Sequence, residues 1–237
     1  KAIKKIKLGL TKFCLNFPST IFLIKTTGNE EGNAAYTRGQ AIIIPQHRLE
    51  SSQEQLNHLV AHELFHILSR YQEELRDQLY QIIGFQKYNK HIFPTELEDQ
   101  KITNPDAPMN FHWIQIKFKD NLFWAAPILF SKTKRYDSEQ EESFFQYLEF
   151  RLLLISATSR ELPLILDEHA FEMVKIEEVS DFFDQIGRNT QYVIHPEEII
   201  AENFAFIVLG KTQLPSPIIS EKIRVLLAKG FNECNDP

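Results

Sequence analysis

The sequence predicts an α+β fold: a small mixed sheet, a helix that carries His-Glu-x-x-His, and a second, mainly helical lobe. Three observations carry this prediction. Two short runs rich in β-branched residues, 20–27 and 40–44, flank the turn signal at 28–33 and precede a capped helix start. The run 52–70 is apolar on most sides yet contains His62, Glu63 and His66. A later run, 196–209, is apolar nearly all the way round and still holds Glu198 and Glu202.

Taken in order, residues 1–17 place lysines among Ile, Leu and Phe at helical spacing, a packing helix that Pro18 ends. The first strand covers 20–27, the tract 34–39 is a candidate edge, and the second strand covers 40–44 and closes at Pro45. Ser51, Ser52, Gln53 and Glu54 then read as a helix N-terminus. A further helix is expected over 73–83, stopped by Gly84. Pro94, Pro105 and Pro108 make 89–110 irregular, and 111–118 and 122–130 read as a hairpin around Lys119, Asp120 and Asn121. The acids of 137–142 open an expected helix through Leu154, and 162–166 is a short strand. Ser180 starts a short helix that Gly187 ends, and Pro196 is placed to begin a last buried helix.

The chain has 237 residues, 43% of them hydrophobic, with 19 phenylalanines, enough to bury a sizeable core as one domain or as two lobes with a cleft between them. The net charge of −6 and the lack of a long basic run beyond the first residues argue against a nucleic-acid surface. No apolar run is long enough for a transmembrane segment, and the basic start lacks the apolar stretch of a signal peptide. The compartment stays open, an extracytoplasmic one with the targeting segment removed among the options. Cys14 and Cys234, one near each end, form no disulfide framework, and both the paired and the free state are compatible with the sequence.

The chemistry is concentrated in His62-Glu63-x-x-His66. Residues four apart on a helix lie one above the other, so both imidazoles reach one ion. Zinc accepts neutral imidazole, and a catalytic zinc keeps three protein ligands and an open position. Glu63 is then placed to take a proton from water. His58, one turn earlier, extends the ladder, but three turns of a helix cannot all ligate one small ion, which leaves it a surface or supporting role. Ser69 and Gln72 stand where a metzincin would carry Gly and His, so the third ligand lies elsewhere. Glu202 is the first choice, because a carboxylate on so apolar a helix needs a partner; Glu198, Asp167, Glu168 and His169 are the alternatives.

Two histidines and a glutamate as ligands, with Glu63 as base, resemble the gluzincin class of zinc metallopeptidases, the thermolysin-like type. Glu202 lies farther along the chain from His66 than in the typical member. The tracts 35–39, 101–108 and 195–204 are similar to parts of bacterial zincin-like peptidases whose substrates are not known. The resemblance implies a single zincin-like catalytic domain over 1–237, with lobes of about 1–88 and 89–237, zinc as cofactor, and a peptide or protein substrate. It also implies a donor to the substrate oxygen, for which His195 and Tyr192 are the candidates. A silent zincin-like protein that holds metal or a partner without turnover is the competing expectation. Asn203 reads as a local structural hydrogen bond and Arg188 as a surface residue.

Overall fold

The computed structural model describes residues 1–88, 95–133, 144–156 and 171–234. Its elements run α1 (Ala2–Leu10), β1 (Phe22–Thr26), β2 (Tyr36–Arg38), β3 (Ala41–Pro45), α2 (Gln46–Leu49), α3 (Gln53–Tyr71), α4 (Glu73–Ile82), β4 (Phe85–Lys87) and α5 (Thr95–Glu98). There follow β5 (His112–Phe118), β6 (Asn121–Ser131), β7 (Leu148–Ser156), β8 (Phe171–Val174), α6 (Ser180–Ile186), α7 (Pro196–Val208) and α8 (Pro217–Cys234). The fold is α+β. A mixed three-stranded sheet has the order β1-β3-β2, and an antiparallel five-stranded sheet has the order β4-β5-β6-β7-β8.

The expected small sheet is present: β1 pairs parallel to β3, and β2 pairs antiparallel to β3 on the opposite edge. α3 begins where the Ser-rich signal places it, because the Ser52 hydroxyl accepts the Gln55 N–H while Gln55 Oε1 accepts the Ser52 N–H. α4 ends before Gly84, whose φ of +86° is left-handed. α1 is shorter than expected. The Thr11 hydroxyl donates to the Leu8 carbonyl at 2.8 Å, and the chain then leaves the helix so that Phe13 can enter the core.

The helix expected through Leu154 is overturned where it is described: 148–156 is strand β7, the centre of the larger sheet together with β6. Leu152 and Leu154 enter the main core, while Leu153 and Ile155 join Trp113, Trp124 and Ile128 on the other face. A strand buried on both faces reads as a continuous apolar run, and that periodicity does not separate it from a buried helix. The expected hairpin thus belongs to a five-stranded sheet, and α8 is a further helix that the sequence reading did not include. The expected start of that helix at 137–142, the strand at 162–166 and the side chains of Asp167, Glu168, His169 and Cys234 lie outside the described residues.

One apolar cluster runs from Ile6 of α1 through α3, α4 and α7 to Leu227 of α8, and takes in one face of each sheet. α7 lies at its centre, with Ile200, Ala201, Phe204 and Ala205 fully buried and the Phe65 and Phe204 rings 5.4 Å apart at the α3–α7 contact. Gly9 lets α1 approach α7 closely, because a Cβ there would stand 2.0 Å from the Val208 carbonyl oxygen. Asn203 holds α7 to the start of α8: its Nδ2 donates to the Ile199 carbonyl, and its Oδ1 accepts from Asn189 and Ser220. No helix among the described residues is long and apolar enough to cross a membrane.

Candidate metal centre

Three turns of α3 face three glutamates of α7, and the two helices run in opposite directions along this contact. His58 meets Glu202, His62 meets both Glu202 and Glu198, and His66 meets Glu197. All three glutamates sit on a helix whose first turn is set by His195 and Pro196. The His195 Nδ1 accepts the Glu197 N–H at 3.0 Å, Pro196 occupies a position that needs no N–H partner, and the acids lie near the positive end of the helix.

The inner atoms converge. Glu198 Oε2 lies 2.9 Å from His62 Nε2 and 3.8 Å from His66 Nε2. Ligand atoms about 2.0–2.2 Å from a tetrahedral zinc stand about 3.3–3.6 Å from each other, and these two distances bracket that spacing. The outer ring nitrogens are held by the neighbouring carboxylates: His62 Nδ1 lies 2.9 Å from Glu202 Oε1, and His66 Nδ1 lies 2.9 Å from Glu197 Oε1. Such outer carboxylates orient an imidazole and raise its basicity toward a metal. Glu197 is itself fixed by Ser69 at 2.5 Å and by the Tyr80 hydroxyl. Asn104 Nδ2 donates to Glu198 Oε1 at 2.5 Å.

Among the described residues, His62, His66 and Glu198 form one buried group able to hold a metal ion, and Glu63, His66 and Asp106 form another. The first has the two-nitrogen, one-oxygen composition of a catalytic zinc site with an open position. Glu63, 3% exposed, lies beside it, and its Oε2 has no hydrogen-bond partner among the described residues. An orphaned carboxylate oxygen at this depth fits a site completed by a metal and its water.

The electrostatics follow from this crowding. Burial opposes charge on His66, but the Glu198 charge and the Glu197 hydrogen bond outweigh it and lift the imidazole to about 9. Burial likewise opposes charge on His62, and its bonds to Glu198 and Glu202 hold it well above its ordinary value. Glu198 resists burial through the His66 charge and the His62 bond and is held at about 2, and Glu202 is held at about 2 against burial by His58 and His62. Burial pushes Glu63 up to about 7, with His66 and His62 opposing.

The structure therefore brings together His62, Glu63 and His66 as the motif predicts, and adds Glu198 to the converging atoms. Glu202, the first choice from sequence for third ligand, is placed one step outward: its Oε1 lies against the far nitrogen of His62 and against His58 Nε2, at 3.0 Å. Burial pattern alone could not separate two glutamates one turn apart on the same apolar helix. His195 is not brought to the cleft. Its ring is buried and committed to the α7 cap and to the Met109 backbone. Tyr192 is at the cleft, its ring nearly parallel to that of His62 with centroids 6.2 Å apart. Partial burial and then the surrounding carboxylates push its hydroxyl up, so it keeps its proton. Arg188 lies at the surface, 3.9 Å from Asp184 and over the Phe183 ring.

Sequence reasoning missed Glu197, Tyr80, Asn104 and Asp106. Glu197 carries a signal as a third carboxylate at the start of a buried helix, Asn104 and Asp106 lie within the tract 101–108, and Tyr80 carries none. The centre opens into a cleft of about 910 Å³ reaching Ala35, Arg48, His58 and Lys211.

Residues 26–74, from β1 into the first turn of α4 and so including His62, Glu63 and His66, match the model of the eCIS core domain, a family related to the zincin-like metallopeptidases. No curated protein and no solved structure matches the chain.

Proposed function

We propose that this protein is a zinc-dependent hydrolase of peptide bonds, with His62, His66 and Glu198 holding the metal and Glu63 acting as general base. The observation that carries the reading is the unpartnered Glu63 Oε2, buried next to two histidines whose outer nitrogens are already held by carboxylates. The set of two histidines and one glutamate resembles the gluzincin arrangement, with Glu198 in the ligand position and Glu202 and Glu197 supporting the two imidazoles. The match of 26–74 to a family related to the zincin-like metallopeptidases supports the same reading.

A zinc ion held there would acidify water and polarise a carbonyl group. Glu63 takes a proton from the attacking water and delivers it to the departing amine. With a pKa of about 7 before metal is added, its carboxyl can both accept and release a proton near neutral pH. Tyr192 keeps its phenolic proton and faces the cleft beside His62, which suits it to donate to the carbonyl oxygen as negative charge develops.

The test combines metal analysis with turnover. The zinc-loaded protein is expected to carry one metal per chain and to cleave an unstructured polypeptide, and Glu63→Gln is expected to keep the metal while losing roughly 100-fold or more in rate. Metal retention without cleavage by the parent protein would replace this reading with that of a silent metal-holding protein.

A further inference from the structure

The cleft runs from the candidate metal centre past Ala35, His58 and Lys211. Just before β2, Ala34 and Ala35 line the cleft together with His58 and His62, while Thr37 of β2 meets Arg70, whose Nη2 donates to the Thr37 hydroxyl at 2.5 Å. The open volume lies on the Ala35 side. On the Thr37 side it ends at Asp106, and a separate cavity of about 340 Å³ lies beyond that wall.

Asp106 closes this end firmly. Its Oδ1 accepts the Thr37 N–H at 2.8 Å, which takes the outward-facing donor of an edge strand that an extended chain would otherwise pair with. The Asp106 N–H donates to Asn104 Oδ1 at 3.0 Å, and its carbonyl accepts from Arg70 at 3.1 Å. The wall thus rests on the loop, the strand and α3 together. A carboxylate oxygen of Asp106 lies within 4.8 Å of acceptor atoms on both Glu63 and His66, while Oδ2 has no hydrogen-bond partner among the described residues.

We infer, on the basis of the hydrolase reading above, that the site acts on the first peptide bond of chains with a free amino terminus, and that Asp106 receives the terminal ammonium at the closed end. The sign of the wall selects the amine. A terminal carboxylate placed there would meet Asp106, Glu63 and Glu198; the Arg70 guanidinium is bonded to Thr37 and the Asp106 carbonyl and reaches the carboxylate only at Oδ1, at 4.0 Å, so Oδ2 is the oxygen left for the ammonium. The rest of the peptide leaves along Ala35. In the reaction the first C–N bond breaks, the hydroxyl of water joins the carbonyl carbon, and a proton passes through Glu63 to the departing nitrogen. The products are one amino acid and a peptide one residue shorter, which again has a free amino terminus.

The experiment uses one unstructured peptide in two forms, with a free and with an acetylated amino terminus. Cleavage by the zinc-loaded protein is followed by mass spectrometry, and equilibrium binding is measured with zinc-loaded Glu63→Gln protein and a dye at the peptide's carboxyl end. Residues are expected to disappear stepwise from the free peptide alone, and Glu63→Gln is expected to bind that form about tenfold or more tightly. Asp106→Asn, which keeps an Oδ1 for Thr37, should erase the binding preference without changing zinc content. Internal cleavage of the acetylated peptide, or equal binding of both forms, overturns the inference and leaves the hydrolase reading intact. A binding preference that Asp106→Asn removes, without cleavage of either peptide, supports the amine site and overturns the hydrolase reading instead.

Discussion

Glu197 Oε1 lies 2.9 Å from His66 Nδ1, and the same carboxylate accepts hydrogen bonds from Ser69 and Tyr80. Four side chains from α3, α4 and α7 are thereby tied into one buried polar unit, which fixes the ring of His66 with Nε2 turned toward Glu198. Glu197→Gln keeps the size of the side chain but exchanges an acceptor for a donor. Zinc affinity is expected to fall about 10- to 100-fold with the helical signal retained, measured by competition with a chelator. Unchanged affinity would remove Glu197 from the site.

Glu198 and Glu202 differ in what they reach, and their truncation separates them. Glu198→Ala removes the oxygen nearest both inner nitrogens and is expected to lower zinc affinity by more than about 100-fold, beyond the range of a supporting partner. Glu202→Ala removes only the outer support of His62 and is expected to cost about 10- to 100-fold. The reverse order, read by the same chelator competition, would return the ligand role to Glu202.

Metal binding should release protons. Without metal, His62 is held well above its ordinary value and His66 at about 9, so both imidazoles carry a proton at pH 7. A metal binds the neutral ring, so protons compete with it on the acid side, and apparent affinity rises with pH until His66 titrates near 9. Calorimetry in buffers of different ionisation enthalpy measures the released protons directly. Affinity that is flat between pH 6 and 9, a span of roughly three decades in proton concentration, would contradict these charge states.

The approach of α1 to α7 depends on the missing side chain at position 9, since a Cβ would stand 2.0 Å from the Val208 carbonyl oxygen. Gly9→Ala forces α1 outward and is expected to cost about 1–3 kcal/mol despite the better helix propensity of alanine. Urea unfolding of the two proteins measures the difference, and an equal or higher midpoint for Gly9→Ala would show that α1 shifts without penalty.

The local parts of this protein were legible because their causes are local. The i, i+4 spacing of His62 and His66 fixes their common face whatever surrounds them, the Ser52 cap and Gly84 stop bound α3 and α4, and the β-branched runs before them form the small sheet. The apolar run of β7 reads as helix in the sequence, which lacks the one fact that decides it, namely that both of its faces are covered. Glu198 and Glu202 share one helical face, so only the height at which α7 crosses α3 decides which carboxylate meets the inner nitrogens. Asp106 and Tyr80 are likewise defined by long-range contacts, to Thr37 and Glu197, that leave no periodic mark in the chain. Sequence determined the residue types and spacing of the candidate centre; tertiary packing decided which carboxylate meets the inner nitrogens of His62 and His66 and which side chains hold the outer ones, because those depend on distances between segments far apart in the chain.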